Sequence, residues 1–307
     1  MKKIFKLIIV VVFIVLLSIF IKENYYVITN KIEYIYRKYL QKDIIQTLND
    51  NEYSKKQNYS YVKIDKHTKI KDKEDIKDAL YTFLDAGWSF YTVRCDVDYL
   101  NCTNDAKEIV ENNTYLTDIS NYVHPFNTFD KINTTFTSYG VITFKKQNRY
   151  SDEQIKKIND KVDEIYNNYY DSSKNIMENI QIFHDYIVNN TTYDTKNITG
   201  LSNINSSTAY GVLFDGVGIC SGYTDTMQLF LEKLHVKNYR ISSNTHVWNL
   251  VFVDGKWLHL DLTWDDPIIS YGSSSLSHDY FLIDTEKLKS FNDGEHNYDS
   301  NIYIEAK

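Results

Sequence analysis

The dipeptide Asp254-Gly255 separates two runs that admit one local structure. Thr245-His246-Val247-Trp248-Asn249-Leu250-Val251-Phe252-Val253 precedes it, and Lys256-Trp257-Leu258-His259-Leu260-Asp261-Leu262-Thr263-Trp264 follows it. Both runs are rich in the β-branched and aromatic residues that suit a pleated surface. Asp-Gly tolerates two consecutive positive φ angles, so the pair predicts a two-residue hairpin turn. Register then follows by counting. Val253 opposes Lys256, Leu250 opposes His259, Trp248 opposes Asp261 and His246 opposes Thr263. His246 and Asp261 share a face one pair apart, with Cβ atoms roughly 7 Å from each other. A carboxylate there can take a hydrogen bond from one imidazole nitrogen and leave the other facing a nucleophile. His259 lies on the same face and is expected to be a structural histidine packed on the sheet.

A nucleophile is on offer upstream. Six of the ten glycines fall between Gly200 and Gly255, and three of the four tryptophans between Trp248 and Trp264, marking where backbone geometry is most demanding. Within this stretch, Gly216-Val217-Gly218-Ile219-Cys220-Ser221-Gly222-Tyr223 runs into a helical pattern over Thr224 to Leu234, so Cys220 sits at or near a helix start. Amide N–H groups and the helix dipole there favour a thiolate and a developing oxyanion. The other reading of a single cysteine in such a place is a buried, inert thiol.

At these residues the sequence resembles the transglutaminase-like superfamily. The matching pieces are Ala209-Tyr210-Gly211, Gly218 to Tyr223, Thr245 to Asn249 and Asp261-Leu262-Thr263-Trp264-Asp265-Asp266-Pro267, and the resemblance covers about 174–284. It implies an α+β, papain-like core in which a helix bearing the Cys packs on an antiparallel sheet bearing His and Asp. Cys220 would be the nucleophile, His246 the general base and acid, and Asp261 the residue that orients the imidazole, with Tyr210 and Trp248 lining the cleft. The implied activity is that of an acyltransferase or cysteine peptidase, in which a thioester is resolved by an amine or by water. No cofactor, metal or calcium activation is expected. Two rivals differ in class. Gly218-x-Cys220-x-Gly222 mimics the nucleophile elbow of α/β-hydrolases, but that fold needs its acid before its His, and here His246 precedes Asp261. A catalytically silent domain serving as an envelope binding scaffold is the other.

The N-terminus bears on location. From Ile4 to Ile21 the chain is apolar except for Lys6 and Ser18, after Met1-Lys2-Lys3, a pattern that spans a bilayer as a helix. Lys22-Glu23-Asn24-Tyr25-Tyr26 offers no small-x-small cleavage site, which favours a retained signal anchor over a cleaved signal peptide. Lys2, Lys3 and Lys6 precede the span, so the N-terminus is expected in the cytoplasm and the remainder outside a single-pass span of the cell membrane. Expected substrates are therefore proteins or peptides of the envelope, such as cell-wall peptides or surface proteins.

Four segments are expected: a membrane helix over 1–22, a helical stalk over 23–58, a small α+β module of unknown role over 59–150, and a transglutaminase-like domain over 151–307. In the module, Asp72 to Ala86 reads as a helix, and Ser89 to Val97 and Thr134 to Phe144 as strands. Asp152 to Tyr170 and Lys174 to Val188 read as two further helices. Cys95 and Cys102 are open to two readings, a disulfide across a short loop outside the cytoplasm or two free thiols. His124, His184, His278 and His296 have no spacing that suggests a metal and are assigned no function. The 27 tyrosines are expected to fill core and surface. A net charge of −7 leaves no basic field for phosphates, so nucleic acid is not an expected partner.

Overall fold

A computed structural model describes residues 2–195, 205–266 and 276–307. Gly200 and Pro267, both used above, lie outside the described residues. Helix α1 (Lys2–Glu23) is long and apolar enough to cross a membrane, and its apolar side chains are exposed from Phe5 to Ile21. Helix α2 (Tyr25–Ile35) and a π-helical turn (Tyr36–Leu40) follow. The helix expected over 23–58 ends there. From 41 to 58 the chain is irregular, because its polar groups find partners on the module instead of along a helix. Gln46 makes both amide hydrogen bonds to the backbone of Thr92, Asn51 exchanges side-chain hydrogen bonds with Asn127, and the Asp85 carboxylate receives Ser54 and the Lys55 and Lys56 amides.

The module contains β1 (Lys69–Ile70), α3 (Lys73–Asp85), β2 (Phe90–Cys95), α4 (Cys102–Glu111), α5 (Asn113–Ser120), β3 (Phe129–Phe136) and β4 (Val141–Asn148). Asp72 caps α3 by accepting the Asp75 N–H, and Ile76, Leu80, Phe83 and Leu84 bury its apolar stripe. The sheet runs β1-β2-β4-β3, parallel only at β1 and β2. The single strand expected from Thr134 to Phe144 is instead a hairpin, turned at Gly140 (φ 72°) with Phe136 opposite Ile142. The turn is flanked on both sides by Thr, Val and aromatic residues, so strand composition runs through it unbroken. Cys95 and Cys102 form a disulfide, leaving Cys220 as the free cysteine.

The remainder comprises α6 (Asp152–Tyr169), α7 (Ile176–Asn190), β5 (Thr192–Tyr193), β6 (Val217–Gly218), α8 (Cys220–Lys233), β7 (Asn238–Ser242), β8 (Val247–Val253), β9 (Lys256–Leu260), α9 (Leu262–Asp265) and α10 (Thr285–Ser290). Capping boxes start α6 (Ser151 with Gln154) and α7 (Asn175 with Glu178). Strands β7, β8 and β9 form an antiparallel sheet with β8 central. Alternation along β8 divides the core. Trp248 and Leu250 join Ile76, Phe83, Val93 and Phe144 of the module, whereas Val251 and Val253 join Ile180, Phe183 and Phe230 of α7 and α8. The module thus covers one face of this sheet and the helices the other. Module and sheet share one apolar core.

Candidate active site

The chain places Cys220 first in α8, after Ile219 in extended conformation (φ −110°, ψ 177°). Gly222 is what lets α8 start here, since a Cβ on it would lie 2.4 Å from the Ser206 carbonyl oxygen. The first turn is then braced to the sheet. Thr224 Oγ1 lies 2.7 Å from the Cys220 carbonyl oxygen and 3.0 Å from that of Val247, and Asn249 donates to the Thr224 carbonyl at 3.1 Å. One residue on, the buried Asp225 receives the Arg240 guanidinium (2.9 Å) from β7 and the Tyr150 hydroxyl (2.8 Å). The cysteine and the start of β8 are therefore held together by hydrogen bonds made outside the reacting groups.

His246 precedes β8 by one residue. Its N–H donates to Ser243 Oγ (3.1 Å) and its carbonyl accepts the Ser243 N–H (2.9 Å), a tight turn that aims the ring. The imidazole stacks on Trp248 at 5.6 Å, and its Nε2 lies 2.5 Å from Asp261 Oδ2. Burial works against a charged ring, but the Asp261 carboxylate, and after it a hydrogen bond and charge from Cys220, push its pKa up to about 10. With Nε2 engaged by Asp261, Nδ1 is the nitrogen left for the thiol. Trp248, expected along the cleft, is fully buried and forms the floor beneath His246, because its indole N–H donates to His259 Nδ1 at 3.0 Å. His259 is the structural histidine expected: buried, bonded also to Thr285, and lowered by burial to about 3. Tyr210 is partly exposed and stacks on Phe214 at 4.7 Å, at the start of the turn Gly211–Asp215 that packs on α8.

The hairpin keeps its expected register from Val253↔Lys256 to Asn249↔Leu260, with positive φ at Asp254 and Gly255 (50° and 82°). The pairing of His246 with Thr263 does not form. Asp261 ends the strand and caps α9, its Oδ1 accepting the Thr263 N–H at 2.8 Å. Its Oδ2 is shared between His246 and a residue that sequence spacing did not single out, His296, whose Nε2 lies 2.8 Å away. The other nitrogen of His296 faces Asp293 at 2.8 Å. Burial opposes the charge on Asp261, but the two histidines, His246 foremost, hold its carboxyl well below the usual carboxylate range. The result is a run of facing groups, Asp293, His296, Asp261 and His246, in which both histidines and Asp261 are buried.

The core is thus a helix carrying Cys220 at its first residue, packed on an antiparallel sheet whose ends carry His246 and Asp261, the arrangement that the sequence resemblance implies. No family model matches the chain, and no curated protein matches it. Among solved structures it is similar to a transglutaminase (16% identity over 50% of this chain, TM-score 0.34). It is also similar to a candidate cysteine protease from Cytophaga hutchinsonii (12% identity over 43% of this chain, TM-score 0.28). The match spans 48% of the first of those chains and 61% of the second.

Proposed function

We propose that this transglutaminase-like core is a thiol acyl-transfer centre held outside a membrane by α1. One observation carries the reading: Asp261 Oδ2 holds the buried imidazole of His246, and Cys220, first residue of α8, is among the groups that raise its pKa. Cys220 Sγ, its proton on His246, attacks an amide or ester carbonyl carbon. As the tetrahedral adduct collapses, the imidazolium gives that proton to the leaving amine or alcohol and a thioester remains. Acylation removes the charge on sulfur, one of the causes that raise the His246 pKa, so the ring stays neutral after giving up its proton and is free to accept one in the second half. It then takes a proton from an attacking amine or water, and the thiolate leaves. Asp261, fixed by α9 and His296, keeps the ring oriented throughout.

The lysines before the span orient the N-terminus to the cytoplasm, which gives the centre envelope proteins or cell-wall peptides as substrates. The test is iodoacetamide labelling of Cys220 at pH 6, in wild type and in His246→Ala and Asp261→Ala, together with incorporation of a labelled amine into isolated envelope. Wild type should label at least tenfold faster than a free model thiol, and His246→Ala should fall to the model rate. Equal rates in all three would leave the domain a silent binding scaffold. Amine incorporation that depends on Cys220 selects the cross-linking half of the reading, and peptide hydrolysis without it the peptidase half.

A further inference from the structure

A second carboxylate in this domain holds two imidazoles, away from Cys220. His184 on α7 is fully buried, and its Nε2 lies 3.2 Å from Oδ2 of the buried Asp265 on α9. The other Asp265 oxygen accepts the Tyr280 N–H at 3.0 Å, so the carboxylate is fixed beside Nε2. Nδ1 of His184 faces Asp185 Oδ1, 2.8 Å away. The same oxygen faces Nε2 of the part-exposed His278 at 2.7 Å. The three ligand atoms lie within 4.8 Å of one another.

We propose that His184, Asp185 and His278 form a binding site for one divalent ion of the zinc class. Two imidazoles and one carboxylate suit zinc and its neighbours, whereas calcium and magnesium require oxygen ligands. A metal-bound histidine characteristically gives its second N–H to a carboxylate, the position Asp265 occupies. Bonds of about 2.0–2.1 Å set neighbouring ligand atoms about 3.3 Å apart, so the two contacts at Asp185 Oδ1 need open by only about half an ångström. The exposed side of His278 leaves room for water as a fourth ligand.

Such an ion would staple α7 to a segment 93 residues further along the chain. It would also sit over the backbone that carries Asp261. The Asp261 N–H donates to the Tyr280 carbonyl at 3.1 Å, and the Asp265 N–H to the Asp261 carbonyl at 3.3 Å. The same three residues could instead be held by a proton, His184 being then an imidazolium between two carboxylates, and the experiment separates these.

Untagged full-length protein in detergent, carrying Cys220→Ala so that no thiol competes, is stripped with chelator. It is then titrated with Zn²⁺ against a chromogenic chelator and with Co²⁺ by visible absorption. One equivalent should bind and raise Tm. His278→Ala, at an exposed position that perturbs packing little, should weaken binding at least tenfold and abolish the rise in Tm, and Asp185→Asn should do the same. Asp265→Asn should weaken binding about 10–100-fold. Absence of binding, or binding indifferent to His278→Ala, overturns the proposal in favour of the proton. Binding lost in His246→Gln but kept in His278→Ala overturns it by moving the ion to the His246, Asp261, His296 group.

Discussion

Two aspartates in this domain each present a single oxygen to two imidazole nitrogens. Asp261 Oδ2 faces His246 and His296; Asp185 Oδ1 faces His184 and His278. The difference lies in what surrounds them. Side chains of the first group are 2–4% exposed, whereas Asp185 and His278 are 30% and 37% exposed. Asp261 spends its remaining oxygen on the first turn of α9, so neither the carboxylate nor the two rings can move without cost. The first group is the orienting device of the proposed mechanism, locked by burial and backbone; the second, with His184 buried but Asp185 and His278 open to solvent, is the proposed ligand set.

Replacing each aspartate by alanine should give the widest separation. Asp261→Ala takes the shared carboxylate from two imidazoles and the cap from α9 inside the core. Loss of a buried ionic partner costs about 3–5 kcal/mol, and loss of the orienting acid of a triad about 10⁴ in kcat. Asp185→Ala in metal-free protein removes a half-exposed partner, so acyl transfer should stay within about twofold and stability within about 1 kcal/mol. Denaturant titration and single-turnover acylation measure both. Comparable losses at the two sites would mean that burial does not distinguish them.

His296 sharpens the comparison at intermediate size. It touches no reacting atom in the proposed mechanism and acts on His246 through Asp261, so it is a positioning residue. His296→Ala should lower kcat about 10–100-fold with KM unchanged, the range found when a second-layer partner is removed. His296→Gln, whose amide N–H can still reach Asp261, should recover part of that loss. A purely structural role would lower Tm in both variants without separating kcat from KM.

Legibility divides along the same line. The hairpin was readable because Asp254-Gly255 sets register locally, and the start of α3 because Asp72 caps it three residues before Asp75. Cys220, His246 and Asp261 come together through that register and through α8. His296 and His278 were not readable. Each reaches its carboxylate by return of the chain over 35 and 93 residues, and spacing carries no trace of such a return. The resemblance set Trp248 along the cleft; its burial beneath the His246 ring depends on what covers that face of the hairpin, which the hairpin pattern does not say. Here the cover is the module, whose core is continuous with it. The hairpin at Gly140 was missed for a local reason, strand-forming residues on both sides of a short turn.

The smallest effect is one of linkage, and it is read as a difference. His246 is raised to about 10 in the folded protein against about 6.5 in an unfolded chain. Its contribution to stability is therefore fully present below about pH 6.5 and is lost as pH rises through about 10. Lys146 runs the other way. Burial lowers it to about 8, so the folded state gains stability, relative to the unfolded chain, as pH rises above that value. Wild type alone mixes the two slopes. Subtracting the curve of His246→Gln removes Lys146 and His184, which both proteins retain, and isolates the buried imidazole. The denaturant midpoint of wild type should exceed that of His246→Gln most near pH 6 and converge on it towards pH 10. A difference that does not change between pH 6 and pH 10 would show that the protein exerts no hold on the charge of His246, and the thiolate–imidazolium reading would lose its support.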